Sequence, residues 1–229
     1  MNKEGRIMKK VFSIAIDGPA GAGKSTVAKG VAERLGIVYV DTGAMYRAIG
    51  LKTIRLGIPS DDGAAVEPIL DSTSVTIEFR EGAQHIFLDG EDVTGLIRTQ
   101  EVSNAASKVS AIPAVRYKLV ELQRKLAEGS SLAMDGRDIG NYVLPNAEYK
   151  FFVTASPEQR ASRRYRELKE KGRLNGMTFN ELYLEMVERD KRDSGRECMP
   201  LKKAPDAVLI DTTYLSIEES INRVLRYIV

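Results

Sequence analysis

Short apolar runs alternate with longer stretches of helical period along the chain. Residues 11–16 read as a strand, 24–35 as a helix, 37–40 as a second strand and about 44–56 as a second helix. This is the strand–helix–strand pattern of a parallel sheet. Later apolar runs predict strands at 132–134, 149–154 and 207–210, with helices beginning near Ser156, Thr178 and Ser216. Ser156-Pro157 joins a good N-cap to proline at the first helical position. Five strands interleaved with helices predict a doubly wound α/β sheet, whose ligands lie beyond the carboxyl ends of the strands.

One region departs from this pattern. Residues 73–79 and 84–90 alternate β-type positions around the turn at 80–83, which predicts an antiparallel hairpin inserted in a parallel fold. Two helical stretches follow, at about 99–111 and 113–128.

With 229 residues and 43% hydrophobic content, the chain can build one α/β domain with inserted pieces. Charged residues make up 29% with a net +2, which gives no case for a nucleic-acid or membrane partner. The distribution says more: residues 156–173 hold seven Lys or Arg against three Asp or Glu. A single cysteine, Cys198, excludes an internal disulfide framework and a cysteine-built zinc site, and fits a reducing compartment. No run reaches the roughly 20 apolar residues of a membrane helix, so a soluble, cytoplasmic protein is expected. The seven residues before Met8 are left out of the expected fold, as an upstream start or an added segment.

The strongest chemical signal is "GPAGAGKST". Gly18, Gly23, Lys24 and Ser25 satisfy G-x-x-x-x-G-K-[ST], with a strand before and a helix after, as a phosphate-binding loop requires. Gly18, Pro19, Ala20, Gly21, Ala22, Gly23, Lys24, Ser25 and Thr26 are thus the expected ATP contacts. Glycines let the backbone wrap close to phosphate oxygens at a helix start, Lys24 adds a point charge, and the Ser25 hydroxyl suits Mg²⁺. The loop leaves open whether the phosphoryl acceptor is water or a second molecule. A guanine-reading Asn-Lys-x-Asp after a late strand is missing, which argues against a GTPase switch. In "SLAMDGRD", Asp135 can be the Walker-B carboxylate of a motor ATPase, or part of a solvated turn.

Several charged positions converge on the same strand ends. "YVDTGAMYR" places Asp41, Thr42 and Arg47 after the second strand, with Thr42 as an N-cap and Arg47 about a turn into the helix. An arginine there can fork onto a phosphate in the cleft, or stand on the surface. In "FNELYLEMVERDKRDSGRE", Leu182, Met186, Arg189, Asp193 and Arg196 fall within about 40° of one helical line. A stripe that starts apolar and ends Arg-Asp-Arg suits a cleft that holds an anion; the alternative is an exposed Arg189–Asp193 pair. Ser194-Gly195 is able to end that helix before Arg196. Arg160, Arg163 and Arg164 share a face near a helix start, which suits a phosphate partner and a closing lid, or else a solvated helix.

Taken together, "IDGPAGAGKST", "DTGAMYR", "IRTQEVSNAASKVSAIPAVR", "DGRDIG" and "ERDKRDSGR" resemble the bacterial cytidylate kinases, in order and over nearly the whole chain. The resemblance implies ATP-dependent phosphorylation of CMP and dCMP by a monomer. The implied fold is a P-loop kinase with a five-stranded parallel sheet flanked by helices, a small antiparallel β insertion and a helical lid. One unit spans 8–229, with core at about 8–41, 113–155 and 205–229, acceptor-binding region at 42–112, and lid with following helix at 156–204. It also implies that Thr42, Arg47, Ser107, Arg116, Arg137, Asp138, Arg189, Asp193 and Arg196 hold CMP, with Asp193 on the sugar hydroxyl. Thr42 stands where the family often has serine. Lys24, Asp135, Arg160, Arg163 and Arg164 would carry the chemistry, with Mg²⁺ on Ser25 and Asp135. Which of Arg137 and Asp138 reads the base stays open. So do other acceptors on the same fold, such as UMP, AMP or a small hydroxyl metabolite, and a nucleotide-binding regulator without turnover.

Overall fold

The structure, a computed structural model, describes residues 11–228. Residues 8–10 and Val229, which belong to the expected unit, and the seven residues before Met8 lie outside that range. In chain order the elements are β1 (Ser13–Asp17), α1 (Lys24–Leu35), β2 (Val38–Asp41), α2 (Thr42–Arg55) and α3 (Gly63–Leu70). Next come β3 (Val75–Arg80), β4 (Ala83–Leu88), β5 (Glu91–Asp92), a 3-10 turn at Leu96–Arg98, α4 (Gln100–Val109) and α5 (Pro113–Leu126). The chain continues with β6 (Leu132–Gly136), a π-helical turn at Ile139–Val143, β7 (Tyr149–Thr154), α6 (Pro157–Glu170), α7 (Phe179–Ser194), β8 (Val208–Asp211) and α8 (Ile217–Leu225).

Among the described residues, five parallel strands form one sheet in the order β2-β6-β1-β7-β8. Both faces are covered, so its inner strands are apolar at successive positions rather than at alternate ones. Ala15, Leu132 and Met134 face one core with Met45 and Ile49 of α2 and Val115 and Leu119 of α5. Ile14, Ile16, Ala133, Phe151 and Val153 face the other, against Val27 and Val31 of α1 and Ile221 and Val224 of α8. A third, smaller cluster of Ala161, Leu168, Leu182 and Met186 joins α6 to α7.

The expected hairpin is present as β3 and β4, in antiparallel register from Val75–Leu88 to Arg80–Ala83. Its turn is tighter than predicted. Glu81 (φ 51°) and Gly82 (φ 75°) both take left-handed backbone, which matches the twist of the two strands. The sequence reading did not anticipate α3, β5 or the π-helical turn. One cap is corrected: the N-cap of α2 is Asp41, whose carboxylate accepts from the Ala44 N–H at 3.1 Å, rather than Thr42. The Thr42 hydroxyl instead donates to the Asp135 carbonyl at 2.6 Å, a longer-range bond that the helix start alone does not reveal.

Helices α2 and α4 approach closely at Gly50, where an added Cβ would lie 2.8 Å from the Ala106 nitrogen and 3.1 Å from the Ala105 Cβ. Gly50→Ala therefore has to push the α2 and α4 backbones away from each other. Against a gain in helix propensity of about 1 kcal/mol, overpacking of about 1–3 kcal/mol is set. The expected net result is a lower denaturant midpoint in equilibrium unfolding, whereas a midpoint raised by the propensity gain would mean that α4 yields freely.

Candidate active site

The phosphate loop runs from the end of β1 into α1. At Gly18 (φ 151°) a Cβ would stand 1.9 Å from the Val153 carbonyl oxygen, so the β7 backbone leaves no room for a side chain. Gly23 (φ 84°) opens α1 without a side-chain cap, and the first N–H groups of the helix therefore face the loop free for an anion. Lys24 is buried and donates to the Pro19 carbonyl at 3.3 Å. Burial, and then the neighbouring Arg137, pull its ammonium below the ordinary lysine range, with Asp135 opposing. Ser25 and Thr26 are exposed at the loop's open side.

Asp135, near the end of β6, is 3% exposed and joins three segments. Its Oδ2 accepts from the Ser25 hydroxyl at 2.6 Å, its Oδ1 from the Tyr39 hydroxyl at 2.9 Å, and its carbonyl from Thr42. Burial and the charge of Asp41 raise its proton affinity, while Lys24 and the two hydroxyls lower it. A hydroxyl and a carboxylate side by side are the hard oxygen donors that Mg²⁺ takes when phosphates supply its other ligands. Among the described residues, no group of three or more His, Cys, Asp or Glu side chains could hold a metal on its own.

Across the strand ends lies a ring of alternating charges. Arg116, 1% exposed on α5, donates to Asp138 Oδ2 at 2.6 Å and to the Ser110 carbonyl at 3.0 Å, and lies 5.5 Å from the Tyr46 ring centroid. Arg196 donates to the Ser110 hydroxyl at 2.8 Å and to Asp193 Oδ1. Asp193 Oδ2 accepts from Arg137 Nε at 2.9 Å, which returns the chain of bonds to the residue beside Asp138. Burial tends to raise the Asp193 carboxyl, but Arg137, Arg196 and Arg189 outweigh it and hold the group below its ordinary value. The stripe read along α7 is thus present, with Leu182, Met186 and Asp193 buried. The helix ends at Ser194, yet Arg196 still joins the ring.

Among the described residues, five enclosed polar atoms have no hydrogen-bond partner: Ser107 Oγ, Arg116 Nε, Gln123 Nε2, Arg189 Nε and Arg196 Nε. Each belongs to the ring or to the helices that carry it. Arg189 is pulled down to about 10 by burial, then by the positive charge of Arg137, with Asp193 opposing and Arg47 and Arg196 adding to the effect. Arg47, half-buried on α2, is likewise lowered, by burial first, with Asp41 opposing.

The three arginines of α6 go to different partners. Arg160 is 5% exposed and donates to the Ala155 and Ala20 carbonyls at 3.0 Å each and to Asp190 Oδ2 at 2.5 Å. Asp190 Oδ1 accepts from the Ala20 N–H at 3.4 Å, so an ion pair grips both sides of one loop residue. Arg163 donates to the Thr212 hydroxyl at 2.9 Å and to its carbonyl at 2.5 Å. Arg164 pairs with Glu167 at 2.9 Å and reaches Gln100 at 3.4 Å.

Sequence reasoning passed over Tyr39, Tyr46, Gln123 and Asp190. Tyr46 adjoins Arg47 inside "DTGAMYR", and Asp190 lies between Arg189 and Asp193, so both were within motifs already in view. Tyr39 and Gln123 carry no signal beyond an apolar strand and a helix interior.

Among the described residues, no helix is long and apolar enough to cross a membrane. The chain shares its fold with a solved structure of an uncharacterized protein from Eubacterium ventriosum at 14% identity, with a TM-score of 0.51 and coverage of 95% of this chain and 98% of that one. Cytidylate kinase of Caldicellulosiruptor bescii is 52% identical over 218 residues, 95% of each chain. That of Geobacillus kaustophilus is 49% identical over 221 residues, 96% of this chain and 98% of the relative. The family profile described as cytidylate kinase matches residues 14–229, and with a phosphate loop facing an arginine-rich ring across one set of strand ends, the chain belongs to the cytidylate kinase family.

Proposed function

We propose that the protein transfers the γ-phosphoryl group of ATP to the phosphate of CMP or dCMP. The observation that carries this reading is the set of enclosed, unpartnered polar atoms on Ser107, Arg116, Gln123, Arg189 and Arg196. A site with buried donors and an excess of cations is costly until a polar anion enters it. Water as acceptor has no need of such a site.

In this reading the loop from Gly18 to Thr26 holds the ATP phosphates, with Lys24 at the transferring group. Ser25 and Asp135 would hold Mg²⁺, which would supply positive charge to neutralise the charge developing on the phosphates. Arg47, Arg137 and Arg189 take the acceptor phosphate, Ser107, Arg116 and Asp138 the base, and Asp193 with Arg196 the sugar. Asp138 uses Oδ2 on Arg116, and its other oxygen can accept from the amino group that cytosine carries and uracil lacks. Tyr46, stacked on Arg116, and Gln123 support the base side from behind. The acceptor phosphate is already an anion at neutral pH, so catalysis rests on alignment and charge stabilisation rather than on a general base. We read α6 and α7 as the lid, with Arg163 and Arg164 free to exchange their present partners for phosphate, while Arg160 stays beneath the loop on Asp190. The remaining segments divide as core and acceptor-binding region, and the expected location is the cytoplasm.

A coupled ADP-release assay with CMP, dCMP, UMP and AMP tests the reading directly. Turnover with CMP and dCMP is expected, with UMP disfavoured by about 1–3 kcal/mol in kcat/KM, or roughly 10- to 200-fold; equal rates with UMP would remove the role given to Asp138. Lys24→Ala is expected to lower kcat by about 100-fold or more with an unchanged melting temperature. Two arginines should behave oppositely in thermal melts. Arg189→Met raises the CMP KM by about 10-fold or more yet leaves the melting temperature level or higher, since no ion pair is broken. Arg116→Met strands buried Asp138 and should cost about 3–5 kcal/mol of stability.

A further inference from the structure

Asp17 ends β1 directly before the phosphate loop, is 3% exposed, and has no part in the reaction as described above. Its oxygens are taken by the protein: Oδ1 accepts from the Ile139 N–H and Oδ2 from the Gly140 N–H, both at 2.8 Å. Successive backbone donors converging on one carboxylate form a small anion nest. That nest is the start of the π-helical turn at Ile139–Val143, a rare backbone form that needs local support. The turn is closely packed. A Cβ added at Gly140 would lie 3.4 Å from Asp17 Oδ2 and 3.3 Å from the Lys150 Cδ, and one at Gly136 would lie 2.6 Å from the Ile139 Cδ1.

The backbone of Asp17 also pairs in register with Gly136, through β1 and β6. One residue therefore fixes both flanks of Arg137-Asp138, Gly136 through the sheet and Ile139-Gly140 through its carboxylate. Two residues suspended between such fixed points have little freedom, and they are the ones that close the charge ring on Asp193 and Arg116. A buried carboxylate is a costly way to hold a loop. Burial pushes Asp17 up to about 7 in spite of the two N–H donors, with Asp138 raising it further and Arg137 opposing.

We propose that Asp17 is a positioning residue for the acceptor nucleotide, which sets the aim of Arg137 and Asp138 from behind while its own main chain leads into the donor loop. This rests on the reading of Arg137 and Asp138 as acceptor contacts.

The test uses the full chain with Asp17→Asn, which leaves one acceptor oxygen for two N–H donors and turns an amide N–H toward one of them. Loss of one charge-assisted bond is expected to raise the CMP KM about 10-fold, with the ATP KM within about twofold and a reduced preference for CMP over UMP. Gly140→Ala keeps Asp17 and sets a methyl group 3.4 Å from its Oδ2 and 3.3 Å from the Lys150 Cδ, at the edge of ordinary contact, and should show the same split to a smaller extent. Melting temperature and Mg-ATP binding by calorimetry report whether each variant is folded. An unchanged CMP KM and selectivity in Asp17→Asn overturns the proposal, as does an equal rise of both KM values, which a general loss of structure would produce. If Asp17→Asn does not fold, Gly140→Ala decides by the same criteria. Wild-type enzyme without activity on CMP or dCMP would instead overturn the acceptor reading itself.

Discussion

The buried carboxylate of Asp135 is the constraint on which the site depends. It lies on β6 in register with Ile16 of β1 on one side and Asp41 of β2 on the other. Ser25 from the phosphate loop and Tyr39 from β2 bond to that carboxylate, and Thr42 from α2 bonds to the carbonyl of the same residue. Neighbouring strands are about 4.8 Å apart, so these bonds index the phosphate loop and the start of α2 to the same point of a rigid sheet. In-line transfer tolerates little error in the approach of two nucleotides, and under the proposed site assignment their separation is set by sheet geometry rather than by flexible segments.

Around that fixed point the ring of charged side chains is electrostatically unbalanced. Arg47, Arg116, Arg137, Arg189 and Arg196 face Asp138 and Asp193, with Asp41 at the edge. The two buried carboxylates orient three of the arginines through ion pairs, while Arg189 keeps an enclosed nitrogen without a partner. Charges arranged in advance need no rearrangement when substrate charge arrives, and the free protein carries the desolvation cost. Binding of an anion then stabilises the folded state by mass action.

Much of this arrangement was legible in the sequence because it rests on local periodicity and on motifs with strong context. The parallel strands, the hairpin, the phosphate loop and the polar end of the α7 stripe all follow from residue order. Harder to see were features created by tertiary proximity. Thr42 looks like a helix cap, and Asp41 takes that role because the Thr42 hydroxyl is used by a carbonyl 93 positions away. Arg160, Arg163 and Arg164 share a helical face, yet packing against the loop, against β8 and against α4 sends each elsewhere. Asp17, just past the predicted strand at 11–16, carries no signal of its own until the sheet brings Ile139 and Gly140 to it. The π-helical turn has no periodic signature in so short a span.

The hairpin does more than extend the chain beyond the parallel sheet. Near its turn, Gln84 accepts from the Asp41 N–H at 2.8 Å and donates to the Asp41 carbonyl at 3.1 Å. Strand β2 is an outer strand of the sheet, so these are outward-facing main-chain groups. A side-chain amide thereby stands in for the next strand at the functional end of the sheet. Exposed edges are where chains recruit one another into aggregates, and at this edge Asp41 has both main-chain groups already occupied by its own polypeptide.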